Sequence, residues 1–427
     1  MTKALAPSPS PDAGPLRLAW LIDSLVTGGA EKLVVTFAEE AMRRPDVRLT
    51  VVALSDKPGP FRAELEALGV DLVVAPGGSL LSPVRFLRLL RLLRARRIEM
   101  IHAHLQSATV LGAAAAATLG AGFAVTVHNV KPSTRRASAV RRALYLTALR
   151  RRRARLVAVG RAVAEANAQD AGDRPFAVIP NAVSASAIWR GGARAAARAE
   201  MGAGPDETLL LAVGLLIPQK GYRDLLDAFA TAAPRAPQAR LAIVGDGRDS
   251  EHGRMLADRA AALGLSDRVR FLGLRRDVPR LLHGADLFVS ASHWEGAPVS
   301  LLEAMINGLP CLMTDVGDNR LALEGVGCPV PAAQDVAGYA AALETALRDP
   351  AARAAWGDAA RARVAAQFGV GPWVDRLLGL YAQDVPRRGW RAPVEDAAAG
   401  GAAVEGVDAR TARRAAAHVA AHVAGVS

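Results

Sequence analysis

Twelve short runs of apolar residues recur along the chain, and they constrain the fold more than any other feature. Seven come early: LRLAWLID (16–23), LTVVALS (49–55), VDLVVAP (70–76), IEMIHAHL (98–105), FAVTVH (123–128), RLVAVG (155–160) and FAVIPN (176–181). Five follow: TLLLAVG (208–214), RLAIVG (240–245), RVRFLG (268–273), ADLFVSAS (285–292) and LPCLMT (309–314). Most are unbroken rather than alternating, as in strands covered on both faces, and longer helical patterns separate them. The pattern predicts an α/β protein with a doubly wound parallel sheet in each half.

At 427 residues the chain exceeds what one core usually supports, so two domains are expected. The reading is a lead-in over 1–15, a Rossmann-like domain over 16–185, a connection over 186–206 and a second Rossmann-like domain over 207–370. The connection stands out as Ala-, Arg- and Gly-rich with little apolar periodicity, and it has room for a short helix. A helix over 371–385 is expected to pack back on the first domain, followed by a weakly ordered Ala/Arg-rich tail over 386–427. Two such domains facing a cleft would present ligands to the carboxyl ends of both sheets.

The formal charge of +12 is almost entirely arginine, because only Lys3, Lys32, Lys57, Lys131 and Lys220 are lysines. That is a compositional bias toward Ala and Arg, so no nucleic-acid partner is expected. Cys311 and Cys328 form neither a disulfide framework nor a metal-ligand spacing, and a cytoplasmic compartment is the expectation. The uncharged stretch from Leu105 to Val127 is broken by Gly120 and Gly122, which predicts a buried helix, a turn and a buried strand instead of a membrane span.

Three stretches carry candidate chemistry. In HWEGAPVSLLEAM (293–305), Glu295 and Gly296 follow a strand, Pro298 suits the first turn of a helix, and Glu303 lies within that helix. The backbone N–H groups of Val299, Ser300 and Leu301 would then favour an anion, and a carboxylate can accept two hydroxyl hydrogen bonds at once. The bland alternative is a pair of ordinary helix-start acids. In VGLLIPQKGY (213–222), Lys220 stands at a strand's carboxyl edge, where it can neutralise a diphosphate or simply be a solvated loop lysine. In LIDSLVTGGAEKLVV (21–35), Gly28 and Gly29 would let backbone approach a phosphate, although GGAE is neither a P-loop nor a dinucleotide fingerprint.

Taken together, these stretches resemble the retaining family 4 glycosyltransferases of GT-B fold, a group that includes bacterial polysaccharide and lipopolysaccharide enzymes. The resemblance runs over roughly residues 16 to 384 and is most specific in the E-x7-E element, Glu295 to Glu303. GGAE (28–31), IHAH (101–104), VTVHN (126–130), VIPNAV (178–183), GLLIPQKG (214–221), IVGDG (243–247) and DVGDN (315–319) support it in order and spacing. It implies a UDP- or GDP-sugar donor, with Lys220 on the diphosphate, Glu303 on the ribose hydroxyls and Glu295 on the transferred sugar. Gly28 and Gly29 would approach the phosphates, and His128 would lie near the sugar. His102 and His104 are read as packing or acceptor-side residues. The implied reaction transfers a hexosyl unit, with retention, to a hydroxyl of a glycan or lipid-linked acceptor in cell-surface polysaccharide synthesis. No D-x-D occurs, which fits a metal-independent transferase without a cofactor.

Two positions depart from the family pattern. Leu215 stands where an arginine usually follows the glycine, and Leu321 stands where a glutamate is common. Arg223 and Arg320 are candidate replacement cations, and an inactive sugar-nucleotide-binding or scaffold protein of the same fold is the alternative. The basic stretches PVRFLRLLRLLRARR (83–97) and SAVRRALYLTALRRRRAR (138–155) suggest peripheral contact with an anionic membrane, on the inner face of the plasma membrane, or merely solvated faces.

Overall fold

The computed structural model describes residues 14–75, 78–130, 139–192 and 194–385. The expected lead-in and the tail from 386 therefore lie almost wholly outside the described residues. Two compact units divide the chain: one holds the residues up to Pro180 and those from Val370 onward, the other runs from Asn181 to Gly369.

All twelve apolar runs form strands. The first unit contains β1 (Leu16–Ile22), β2 (Val47–Ala53), β3 (Asp71–Val74), β4 (Met100–His104), β5 (Gly122–Val127), β6 (Ala154–Ala158) and β7 (Ala177–Val178). They pair in the order β3-β2-β1-β4-β5-β6-β7, and every pairing is parallel. The second unit contains β8 (Thr208–Val213), β9 (Ala239–Val244), β10 (Val269–Gly273), β11 (Leu287–Ser290) and β12 (Cys311–Met313), ordered β10-β9-β8-β11-β12 and again all parallel.

Burial on both faces explains the unbroken apolar runs. In the second unit Leu210, Ala212, Leu241 and Ile243 pack on one side with Tyr222, Phe229 and Leu343. Leu209, Leu211, Ala242 and Val244 pack on the other with Met201, Leu281 and Leu301. Successive residues face opposite layers, and each layer is apolar.

The helix Val370–Ala382 belongs to the first unit. Trp373 meets Trp20 and Phe37 edge-on, at ring separations of 6.1 and 5.9 Å, while Trp20 stacks on Phe37 at 3.9 Å. Two-pronged bonds of 2.6 and 2.7 Å from Arg155 to Asp384 close the end of this segment.

Residues 186–206, expected as the connection, fold instead as part of the second unit. Helix Arg194–Glu200 is anchored by the buried Arg198, which donates to the carbonyls of Gly204 and Gly284 and, at 2.7 Å, to Asp286. The Arg198 guanidinium docks the helix alongside the buried Ala197 and Met201. The uncharged stretch forms helix Gln106–Leu119, a left-handed turn at Gly120 and strand β5. Among the described residues no helix is long and apolar enough to cross a membrane.

Candidate functional site

In the second unit the helix after β8 packs on one face of the sheet and the helix after β11 on the other. The connections leaving these adjacent strands therefore diverge, which opens the crevice where ligands of such sheets bind. Lys220 and Glu295 sit on those two connections.

The β8 connection passes Gly214, forms a tight turn over Pro218–Lys220 and enters helix Tyr222–Ala232 through Gly221. Gly221 has φ +60°, and a Cβ there would lie 1.9 Å from the Ala291 carbonyl oxygen. Only glycine lets the two connections approach this closely. Gln219 ties them further: its carbonyl accepts the His293 N–H at 2.8 Å, and its side-chain amide donates to the Trp294 carbonyl at 3.0 Å. His293 Nε2 in turn meets Asp224 at 2.9 Å.

This frame sets the Lys220 ammonium 2.6 Å from Glu295 Oε1, which also accepts from the buried Ser292 hydroxyl at 2.8 Å. Glu295 is 6% exposed. A buried carboxylate needs such partners, and here they hold its geometry. Ser292 is itself fixed, its carbonyl accepting from Thr314 Oγ1 at 2.6 Å. Gly296 is gripped through its carbonyl by the Asp318 N–H at 3.2 Å, and a Cβ on Gly317, at φ +55°, would come within 2.3 Å of that same oxygen.

Helix Val299–Ile306 begins after Pro298 with no side-chain cap. Its first N–H groups, those of Val299 and Ser300, lie where an anion is favoured. Leu301, expected to offer its N–H to the anion, donates to the Pro298 carbonyl at 3.2 Å and buries its side chain in the core. Glu303, partly exposed, lies one turn into this helix.

Of the two departures, Leu215 is partly exposed beside Gly214 and Leu321 is 39% exposed. Arg320, a candidate replacement cation, is committed to Asp315 at 2.6 Å, whereas Arg223 is exposed in the first turn after Gly221.

Gly28, Gly29 and His128 belong to the first unit. The space a Cβ would fill on Gly28 is taken by the Glu31 carboxylate, whose Oε2 lies 2.2 Å from that position, while Gly29 is exposed. Burial, with the charge of Asp23 adding, raises the Glu31 carboxyl to about 7. Asp23 itself, its acidity weakened by burial, accepts the Ser107 and Ala108 N–H groups at 3.1 and 2.7 Å and so caps helix Gln106–Leu119.

His128, one residue past β5 and partly exposed, places Nε2 3.0 Å from Nδ1 of the buried His104. His102 bonds Tyr381 through Nδ1 and Thr126 through Nε2. Among the described residues no cluster of three or more His, Cys, Asp or Glu side chains could hold a metal.

The sequence reading missed Ser292, Gln219 and Glu31. Gln219 and Ser292 flank the named residues closely in sequence, but nothing in their identity announces the contact. Glu31 lies within GGAE, and its apolar neighbours Leu33 to Val35 are the signal of its burial.

The Glycosyltransferase Family 4 model matches residues 27–187, and the Glycosyl transferases group 1 model matches residues 193–363. Among curated relatives, the UDP-Gal:alpha-D-GlcNAc-diphosphoundecaprenol alpha-1,3-galactosyltransferase of Escherichia coli is 30% identical over 244 residues, 54% of this chain and 62% of that protein. The D-inositol 3-phosphate glycosyltransferase of Kineococcus radiotolerans is 32% identical over 229 residues, 49% of this chain and 52% of that protein. The matched stretches thus span less than two thirds of these relatives' own length. Among solved structures, Anabaena HepE in complex with UDP-glucose superposes with a TM-score of 0.75 at 23% identity, covering 86% of this chain and all of that one. WaaG, a glycosyltransferase involved in lipopolysaccharide biosynthesis, gives 0.66 at 18% identity over 85% of this chain and all of its own. With two doubly wound units and both domain models matched in order, the chain belongs to the family 4 glycosyltransferases of GT-B fold.

Proposed function

We propose that the protein transfers a hexosyl unit from a nucleoside diphosphate sugar to a hydroxyl of a glycan or lipid-linked acceptor, with anomeric configuration retained, in cell-surface polysaccharide synthesis. The observation that carries this reading is the Lys220–Glu295 contact at the divergence of β8 and β11. Lys220 retains N–H groups beyond the one spent on Glu295, which suits a diphosphate. Glu295 Oε2, contacted by Gln219 only at a long 3.5 Å, has lone pairs for sugar hydroxyls. The N-terminus of helix Val299–Ile306 adds a second source of positive potential for the leaving group, and Glu303 on that helix takes the ribose diol.

The bound UDP-glucose of Anabaena HepE favours a UDP-sugar as the donor to try first. The diphosphoundecaprenol in the Escherichia coli relative's name favours a lipid-linked acceptor. In the proposed chemistry the acceptor oxygen attacks the anomeric carbon from the face the diphosphate leaves, and the departing phosphate oxygen takes the acceptor proton.

Thermal-shift titration against UDP-, GDP- and ADP-sugars, followed by nucleotide release with lipid-linked acceptors, tests this reading. Lys220→Ala is expected to weaken donor binding roughly tenfold to a hundredfold, the range of a charge-assisted hydrogen bond. Glu295→Gln is expected to spare nucleotide binding and lose transfer. Unchanged donor binding in Lys220→Ala together with unchanged transfer in Glu295→Gln would remove the site assignment. Binding without release across the acceptors would favour a non-catalytic sugar-nucleotide-binding protein, the reading that Leu215 and Leu321 support.

A further inference from the structure

His104 is buried at 1% exposure, between Trp20 at a ring separation of 4.4 Å and His102 at 4.5 Å. Its Nδ1 faces His128 Nε2 at 3.0 Å, and its Nε2 is buried with no hydrogen-bond partner among the described residues. A neutral imidazole carries one N–H and one bare nitrogen, and the partner of one nitrogen decides the state of the other. Two arrangements satisfy the short contact. If His104 is protonated on Nε2, that N–H is an orphaned buried donor among aromatic rings. If it is protonated on Nδ1, the hydrogen bond is made and only a lone pair goes unused. Orphaned buried N–H groups are the rarer defect.

We infer that His104 is a positioning residue that donates from Nδ1 to His128 Nε2 and thereby fixes the His128 proton on Nδ1, making His128 a hydrogen-bond donor and not a base. Burial supports it by keeping both rings neutral, His128 lowered to about 4 and His104 well below its ordinary value. The other ionisable groups packed here, His102 and Tyr381, are bonded to each other, and burial shifts both toward their neutral forms. An Nδ1–H at the partly exposed end of β5 suits a sugar hydroxyl or a phosphate oxygen. It cannot take a proton from an acceptor without forming a cation that this pocket disfavours.

The inference deepens the transferase reading, and only its kinetic arm rests on that reading. Long-range proton–nitrogen correlation spectra of histidine-labelled protein at pH 7 report each ring's tautomer directly. The expected result is Nδ1–H on both His104 and His128 in the unaltered chain, with a shift of His128 toward Nε2–H in His104→Phe. In turnover assays His104→Phe should lower kcat roughly tenfold to a hundredfold, with the donor KM changed no more than about threefold. His104→Asn, whose amide N–H overlays Nδ1–H, should recover most of that loss. The unaltered protein showing Nε2–H on His128, or a His104→Phe variant that folds with the His128 tautomer unmoved, would overturn the assignment. If no sugar nucleotide is turned over, the transferase reading fails while the spectra still decide the tautomer. If His104→Phe does not fold, the spectra of the unaltered chain and of His104→Asn decide it.

Discussion

Glu31 places a carboxyl at 7% exposure across Gly28, close to the charge of Asp23. Its acidity falls from an ordinary 4.5 to about 7 for that reason. Between these values the folded chain holds a proton that the unfolded chain has released. The group's contribution to stability is therefore complete below about pH 4.5 and is lost as pH rises through about 7, a change of about 3 kcal/mol. Glu31→Gln keeps the shape without the ionisation. Its urea midpoint should vary much less than the parent's between pH 5 and pH 8, with the variant the more stable at pH 8, and superimposable profiles would show that Glu31 does not titrate there. Lys220 was legible because it kept its identity in an arginine-biased chain, and Glu295 because its spacing to Glu303 is distinctive. Ser292, Gln219 and the Glu31–Gly28 contact were not, since a hydrogen bond across two connections leaves no periodic trace.

At the scale of elements, strands read well because a parallel strand buried on both faces is written as one apolar run, and every run proved to be one. Helix Arg194–Glu200 fits the short helix the sequence allowed there, but its membership of the second unit was not legible, because it is Ala- and Arg-rich and held by the Arg198 guanidinium. The connection through Gly221 is a tight point of the candidate site, with its Cβ position 1.9 Å from the Ala291 carbonyl oxygen. Gly221→Ala combines a left-handed backbone with a clash against the Ala291 carbonyl and should cost roughly 2 kcal/mol or more. Because the same movement separates Lys220 from Glu295, donor-induced thermal shift should vanish along with part of the melting temperature. Lost stability with an intact shift would detach this turn from the site. Helix Pro83–Ala95 makes a different prediction. Arg85 is spent on the carbonyls of Leu54 and Gly78, but Arg88, Arg91 and Arg94 are exposed, as are Leu81, Val84 and Leu87 at 65, 56 and 49%. We propose this face as the contact for an anionic membrane; the Arg150–Arg153 run is less available, since Arg150 and Arg151 bond backbone carbonyls. Flotation with anionic liposomes should recover the parent chain and lose an Arg88→Glu, Arg91→Glu variant, while neutral liposomes recover neither; equal recovery on both lipids would end the proposal.

At the scale of the whole molecule, the first unit is assembled from two distant parts of the chain, and its aromatic centre joins them. Trp20 comes from β1, Phe37 from helix Gly29–Ala41 and Trp373 from helix Val370–Ala382. The unit therefore cannot complete its core until the returning helix docks, whereas the second unit is one continuous stretch. Trp373 is 6% exposed, so Trp373→Ala leaves a large cavity and should cost roughly 3–5 kcal/mol. The loss should appear as faster amide exchange in β1, β4 and helix Gly29–Ala41, with β8 and β11 unchanged and donor-induced thermal shift retained. Exchange that accelerates equally in both units would mean that they unfold as one. Because Tyr381 on the same helix bonds His102, the same variant should also disturb the histidine resonances of the first unit, tying the packing of this helix to the ring array beside His128.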